Sequence, residues 1–237
     1  RNFIEKNNPF SDDNLTKNYN FIKKSIENSE GNHMSTPVPS IEVLEHCLKN
    51  PFKRPIENVL EIGCYEGRAT IYLCEKVLKG QSNYTVVDTF EGSEAESGMD
   101  TTMERLEENK SIIEDNFRHN ISFHNNINFK ILKGKSQFIL PELYSKLKNN
   151  FDLIFVDASH RADDTFVDGY YALKMLKKEG LLIFDDFGWK DPAQKETVSS
   201  PEFGIRAFAT MYQEEVDTVH TGYQVVFKKK KYKEFKV

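Results

Sequence analysis

V-L-E-I-G-C-Y-E-G-R-A-T, from Val59 to Thr70, is a short apolar run that reaches an acidic residue and then opens through two glycines, four positions apart, into a helical pattern. A strand that turns this sharply at its carboxyl end needs residues without a Cβ, and Gly63 and Gly67 let the backbone take positive φ or lie close to a ligand. The spacing is not G-x-G-x-x-G, and no Gly-Lys-Ser/Thr follows, so neither a dinucleotide fingerprint nor a P-loop is present. What remains is E-x-G-x-x-x-G, a turn suited to a nucleoside. Taken alone, it is also ordinary α/β punctuation.

Working outward, strands and helices alternate. Strands are predicted at Asn58–Ile62, Tyr84–Asp88, Phe129–Leu132, Phe151–Val156 and Leu181–Phe184, with helices at Arg68–Lys79, Leu140–Leu147, Asp164–Lys177 and Gly204–Tyr212. Thr218–Val219 and Tyr223–Lys228 flank Thr221-Gly222 as a closing hairpin. The apolar runs L-I-F-V and L-L-I-F suit strands covered on both faces. The expected fold is α/β: a doubly wound, mostly parallel, seven-stranded Rossmann-like sheet with an antiparallel edge hairpin and extra N-terminal helices. Leu15, Tyr19, Ile22 and Ile26 mark one face of a helix between Asp12 and Gly31, and a second is expected from Ser40 through Val43, Leu44, Cys47 and Leu48. We divide the chain into an N-terminal arm and helix, 1–33, and a main domain, 34–237.

The span between Asp88 and Phe129 is longer than a crossover requires. It holds a Gly- and Glu-rich loop, Glu91 to Asp100, which is a lid candidate, and then a helix opened by the capping box Thr101-Thr102-Met103-Glu104, with Ile113 and Phe117 on its inner face.

Composition narrows the class. A length of 237 residues suits one large domain, and 38% hydrophobic content with 18 phenylalanines supports a packed core. A net charge of -5 argues against a nucleic-acid-coating protein, although Lys228 to Lys231 is locally basic and reads as a solvated strand end. The three cysteines, Cys47, Cys64 and Cys74, form no C-x-x-C pair and read as reduced core residues. No stretch is long and apolar enough to span a membrane, and a soluble, cytoplasmic protein is expected.

In doubly wound sheets ligands sit at the carboxyl ends of the strands. Here the first strand ends in Glu61 and Gly63, the second in Asp88, the third in Gly134 with Ser136 and Gln137, the fourth in Asp157 with Ser159 and His160, and the fifth in Asp185-Asp186. Asp88, one strand past the glycine turn, is placed to accept both hydroxyl hydrogens of a ribose. Asp157 and Asp185-Asp186 end strands expected to be neighbours, which brings three like charges together and makes a cation welcome.

E-I-G-C-Y-E-G, V-V-D-T-F-E-G, G-K-S-Q-F-I-L-P-E-L, D-L-I-F-V-D-A-S-H and G-L-L-I-F-D-D-F, in that order, resemble successive motifs of class I S-adenosylmethionine-dependent methyltransferases. Within that class they resemble the metal-dependent small-molecule O-methyltransferases of catechol, caffeoyl-coenzyme A and macrocin type, over roughly Ser35 to Phe187. The resemblance implies that Glu61, Gly63, Cys64, Tyr65 and Gly67 line the methionine and ribose part of S-adenosylmethionine. Asp88 with Thr89 would hold the ribose hydroxyls, and Ser136 with Gln137 the adenine. It implies that Asp157, also beside the cofactor, ligates Mg²⁺ together with Asp185 and Asp186, and that Asp157 and His160 are catalytic. His160 stands where catechol-type enzymes carry a Lys, and Ser159 where many macrocin-type enzymes carry a second Asp.

These residue types suit the chemistry. Methyl transfer from a sulfonium is an in-line displacement, so the acceptor hydroxyl must lose its proton. A divalent cation on adjacent hydroxyls lowers their pKa, and a base such as His160 removes the proton. Carboxylates without Cys or clustered His select a hard ion such as Mg²⁺. The expected acceptor is a small polyhydroxylated molecule, a sugar or a catechol; Trp189 reads equally as a wall for it or as a partly buried surface residue, and Met34 reads first as a packed methionine and second as a cover over the methyl group. A hydroxylated nucleoside in RNA is the second choice, since nucleic acid is not otherwise expected as a partner. A catalytically silent S-adenosylmethionine-binding module would have no use for the three carboxylates, and a nicotinamide oxidoreductase ranks below it because the glycine spacing is wrong. The Leu15, Tyr19, Ile22 and Ile26 face is expected first to pack on its own sheet, second to cover the acceptor site, and third to bind a partner subunit in a homodimer.

Overall fold

In the computed structural model, residues 55–78, 80–92, 103–189 and 200–230 are described, together with Thr16, Asn20 and Lys24, which are helical and exposed. The predicted faces of the N-terminal helices, the 1–33 boundary, Met34, Cys47, most of the candidate lid and the first half of the capping box lie outside the described residues.

Seven strands form one sheet in the order β3-β2-β1-β4-β5-β7-β6. They are β1 (Asn58–Ile62), β2 (Ser82–Asp88), β3 (Ile127–Lys133), β4 (Phe151–Val156), β5 (Leu176–Phe184), β6 (Val216–Thr221) and β7 (Val225–Lys229). The first five are parallel, and β7 enters antiparallel between β5 and β6. The order reverses direction from β1, with β2 and β3 on one side and β4 and β5 on the other, so a crevice opens at the carboxyl ends of β1 and β4.

Both faces are dry, and alternation decides which side chain goes where. Val59, Tyr84, Val86, Leu153, Phe155, Leu181 and Ile183 point to one face. They meet Ile71 and Tyr72 of α1 (Arg68–Tyr72), Leu73 and Cys74 of the π turn that continues it, and Ile113, Phe117 and Ile121 of α2 (Met103–Ile121). Leu60, Ile62, Val87, Ile154, Val156, Leu182 and Phe184 point to the other. There they pack on Leu140 and Leu143 of α3 (Ser136–Lys146), Ala172 and Leu173 of α4 (Ala162–Met175), and Ile205 and Phe208 of α5 (Pro201–Met211). Each buried Val, Leu, Ile or Phe among them contributes about 1.5–3 kcal/mol by leaving water.

Several boundaries shift from the sequence reading: β2, β3 and β5 begin earlier, at Ser82, Ile127 and Leu176, the first helix gives way to a π turn after Tyr72, and two helix ends move for plain tertiary reasons. Helix α3 starts at Ser136, four residues earlier than expected; Pro141 inside it forfeits only the bond to the Gln137 carbonyl. Helix α4 ends at Met175 because Leu176 already pairs with Phe151 of β4.

The basic run also differs. Lys229 is buried at 3% exposure, its Nζ donating to the carbonyls of Leu173 and Leu176 at 2.8 and 2.7 Å and to Asn149 Oδ1 at 3.0 Å. Lys228 pairs with Glu179 and Lys230 with Asp217. Three acceptors around one ammonium offset its desolvation, so this lysine closes the base of the sheet where a solvated strand end was expected. Replacing it by Met strands those acceptors: Lys229→Met lowers stability by about 2–3 kcal/mol in denaturant titration, whereas Lys228→Ala and Lys230→Ala stay within about 0.5 kcal/mol.

Candidate active site

The ladder continues one residue beyond β1, β3, β4 and β5. Gly63 N–H donates to the Val87 carbonyl (2.9 Å), Gly134 to Asp88 (2.8 Å), Asp157 to Ile62 (2.8 Å) and Asp185 to Val156 (2.9 Å). These bonds align the chemistry-bearing strand ends in one row. At its centre Gly63 has φ +84°, and a Cβ there would lie 2.0 Å from the Asp157 carbonyl oxygen. Gly67, at φ +92°, would push a Cβ to 2.9 Å from the Phe117 ring. Both glycines are therefore required by space as well as by φ.

Asp88 holds this turn. Its Oδ2 accepts the N–H groups of Cys64 (2.6 Å) and Tyr65 (3.0 Å), and its Oδ1 that of Phe90 (2.6 Å). The next residue, Thr89, accepts the Glu91 N–H through Oγ1 at 3.2 Å. The expected ribose ligand is thus also the clasp of the glycine turn. Tyr65, at φ +50°, is half exposed over the crevice, and Cys64 is buried with a free thiol that burial makes harder to ionise.

Glu61 sits beneath the turn, fully buried. One oxygen accepts both the Thr70 hydroxyl (2.6 Å) and the Tyr84 hydroxyl (2.8 Å), and the other has no partner. Burial pushes its pKa up to about 8, against the pull of those two bonds. Its carboxyl therefore ties β1 to α1 and β2 and shows no surface to the crevice.

At the adenine end, Ser136 is buried and Gln137 half-buried in the first turn of α3. Asp168 of α4, fully buried, faces Ser136 without closing a hydrogen bond of ordinary geometry; burial raises its pKa to about 7, eased by that hydroxyl.

The carboxylates converge as expected. Asp157 is driven well above the usual carboxylate range by burial of its carboxyl and by the charges of Asp185 and Asp186, and Asp185 rises to about 7 for the same two reasons, burial and Asp186. Asp186 ends below its ordinary value: burial raises it, but His160 and the Tyr223 hydroxyl outweigh that. Its Oδ2 lies 2.9 Å from His160 Nε2 and its Oδ1 accepts the Tyr223 hydroxyl at 2.9 Å. The Trp189 ring stacks on the His160 imidazole with centroids 4.2 Å apart. Asp157, Ser159, His160, Thr165, Asp185, Asp186 and Pro201 line a small cavity. Among the described residues, no three His, Cys, Asp or Glu side chains are already spaced to clasp an ion. Tyr223 was expected in the last strand and was not a site candidate. The strand starts two residues later, and only the antiparallel entry of β7 brings Tyr223 to this end of the sheet.

A family model described as a methyltransferase domain matches residues 60–187, more than half of the chain. The chain belongs to that family. Solved structures share the fold. An O-methyltransferase from Bacillus cereus in complex with SAH aligns at 16% identity and TM-score 0.54, covering 97% of this chain and 96% of that one. TomG from Streptomyces achromogenes, an O-methyltransferase of tomaymycin synthesis bound to SAM, aligns at 15% and 0.56 with 90% of each chain covered. MycE of the mycinamycin pathway, bound to Mg, SAH and mycinamycin VI, aligns at 12% and 0.54, covering 93% of this chain and 56% of its own. Among curated proteins, none matches the chain. Among the described residues of this methyltransferase, no helix is long and apolar enough to cross a membrane.

The Glu61 carboxyl makes stability pH-dependent. It holds its proton in the fold up to about pH 8 and releases it near 4.5 when unfolded, so its contribution is complete below pH 4.5 and is lost as pH rises through 8. Glu61→Gln removes this slope. Melting curves between pH 5 and 9 fall more steeply for the natural protein than for the variant, the gap amounting to at least about 1 kcal/mol, or roughly 2–4 °C.

Proposed function

We propose that this methyltransferase moves the methyl group of S-adenosylmethionine to a hydroxyl of a small polyhydroxylated acceptor, a sugar or catechol-like molecule, with Mg²⁺ at the acceptor. The observation that carries this reading is the contact between Gly63 and the Asp157 carbonyl. The turn suited to the donor and the carboxylates suited to the acceptor share one wall, so a methyl group held by one lies next to hydroxyls held by the other. The fold shared with O-methyltransferases holding SAM, SAH and Mg supports it.

In this reading Gly63, Cys64, Tyr65 and Gly67 form the donor's methionine-side wall, with Glu61 bracing it from beneath. Asp88 and Thr89 meet the ribose, and Ser136 and Gln137 the adenine. Asp157, Asp185 and Asp186 are the oxygen donors available to a cation. Asp186 is the least free of the three, which still suits Mg²⁺, an ion content with one or two carboxylates plus water and substrate oxygens. When bound, that ion lowers the pKa of adjacent acceptor hydroxyls. His160 takes the hydroxyl proton as the oxygen's electron pair forms the new C–O bond, and the C–S pair returns to sulfur. Trp189 supplies an aromatic wall.

Support for RNA as acceptor is reduced within the described part of the basic run, where Lys229 is buried and Lys228 and Lys230 are paired; Lys231 lies outside the described residues. The free Cys64 and Cys74 fit a reducing compartment such as the cytoplasm.

The test is SAH formation against a panel of glycosides and catechols. His160→Ala lowers kcat by about 10²–10⁴-fold, and Asp185→Ala or EDTA reduces turnover at least about 10²-fold. Turnover untouched by EDTA removes the metal from the reading. S-adenosylmethionine binding by calorimetry without turnover on any acceptor identifies a silent module.

A further inference from the structure

Asp186 is a non-glycine residue at φ +58°, a conformation that must be held by its surroundings. The Asp186 N–H donates to Asp185 Oδ1 at 2.8 Å, the Asp186 carbonyl accepts the Trp189 N–H at 3.0 Å, and a third restraint is Tyr223. Its carbonyl accepts the Phe187 N–H at 2.8 Å, its ring fills the space where a Cβ on Gly188 would approach to 2.9 Å, and its hydroxyl donates to Asp186 Oδ1. On the far side Asp186 Oδ2 meets His160 Nε2, and Trp189 stacks at 20° to the imidazole plane, which blocks rotation of the ring.

We propose that Asp186 orients His160 in preference to holding a cation, and that Tyr223 is the positioning residue that keeps it there, so that Nδ1 is the nitrogen presented to the acceptor. This rests on the hydroxyl-methylating reading above. A carboxylate accepts only, so a Tyr223 hydroxyl donating to one oxygen leaves the other to accept from Nε2–H. The proton then sits on Nε2 and the lone pair on Nδ1, since the bond made by one ring nitrogen sets the state of the other. Nδ1 of His160 is buried and has no hydrogen-bond partner, while the residue lines the cavity it shares with Asp157 and Asp185. An unpaired buried acceptor is costly, and an incoming hydroxyl is the donor that relieves it. A cation is then left to Asp157, Asp185 and oxygens from water and acceptor.

The test is ¹⁵N NMR of the full chain labelled at histidine, free of donor and metal, at alkaline pH. The His160 signal is assigned by its loss in His160→Ala. The expected spectrum shows His160 as the Nε2–H tautomer. Tyr223→Phe keeps the ring, mixes the tautomers and lowers kcat about 10–100-fold with little change in the KM for S-adenosylmethionine. Asp186→Asn, which tolerates positive φ, can donate where Asp accepts, and it inverts the tautomer. The proposal is overturned by an Nδ1–H tautomer in the natural protein, by Tyr223→Phe leaving both tautomer and kcat unchanged, or by Mg²⁺ alone releasing His160 from Asp186. The spectrum needs no turnover: expected tautomers in a protein that methylates no hydroxyl uphold this arrangement and sink the functional reading instead.

Discussion

The backbone of Gly63 lies against the carbonyl of Asp157 with no room for a side chain between them, and the rest of the site depends on that contact. It lets the ends of β1 and β4 run side by side past the point where the sheet changes direction. Everything the crevice holds is referenced to this junction, from the Asp88 clasp on one side to Asp185 and Asp186 on the other. A larger residue would separate the two halves of the row by about the width of a methylene, enough to disturb a displacement that requires in-line alignment.

Buried polar groups keep the row rigid. Glu61 joins β1 to α1 and β2 below the turn. At the opposite end of the sheet Asp152 Oδ2 accepts the N–H groups of Glu57 and Asn58 and pairs with Lys177 at 2.9 Å, and Lys229 closes three carbonyl-type acceptors. Such groups are strongly destabilising when one partner is removed, so they favour a single register of strands over slipped alternatives. The site's own carboxylates are different in kind: the charge of Asp186 makes Asp157 and Asp185 harder to ionise, while Asp186 is itself eased by His160 and the Tyr223 hydroxyl.

Most of the scaffold was legible in the sequence. The strands Asn58–Ile62 and Phe151–Val156 match to the residue because uninterrupted apolar runs bounded by turn residues have one buried-strand solution. Helix ends were less legible, since Leu176 leaves its helical pattern only to pair with Phe151, a neighbour twenty-five positions away. The glycine turn, Asp88 and the acidic strand ends could be placed because parallel strands bring their carboxyl ends together by topology. The hydrogen-bond state of each could not: nothing local says that Asp88 clasps the turn or that Glu61 faces inward.

By itself, then, the sequence determined the strand order's raw material, the family and the set of side chains gathered at one end of the sheet, because periodicity and strand direction are local properties that survive without knowing the partners. Only the tertiary structure decided how those side chains divide their work. Lys229 becomes a core cation, Tyr223 reaches Asp186, and Asp186 meets His160, because each role depends on which carbonyl, hydroxyl or imidazole lies within 3 Å, and those neighbours come from segments far apart in the chain.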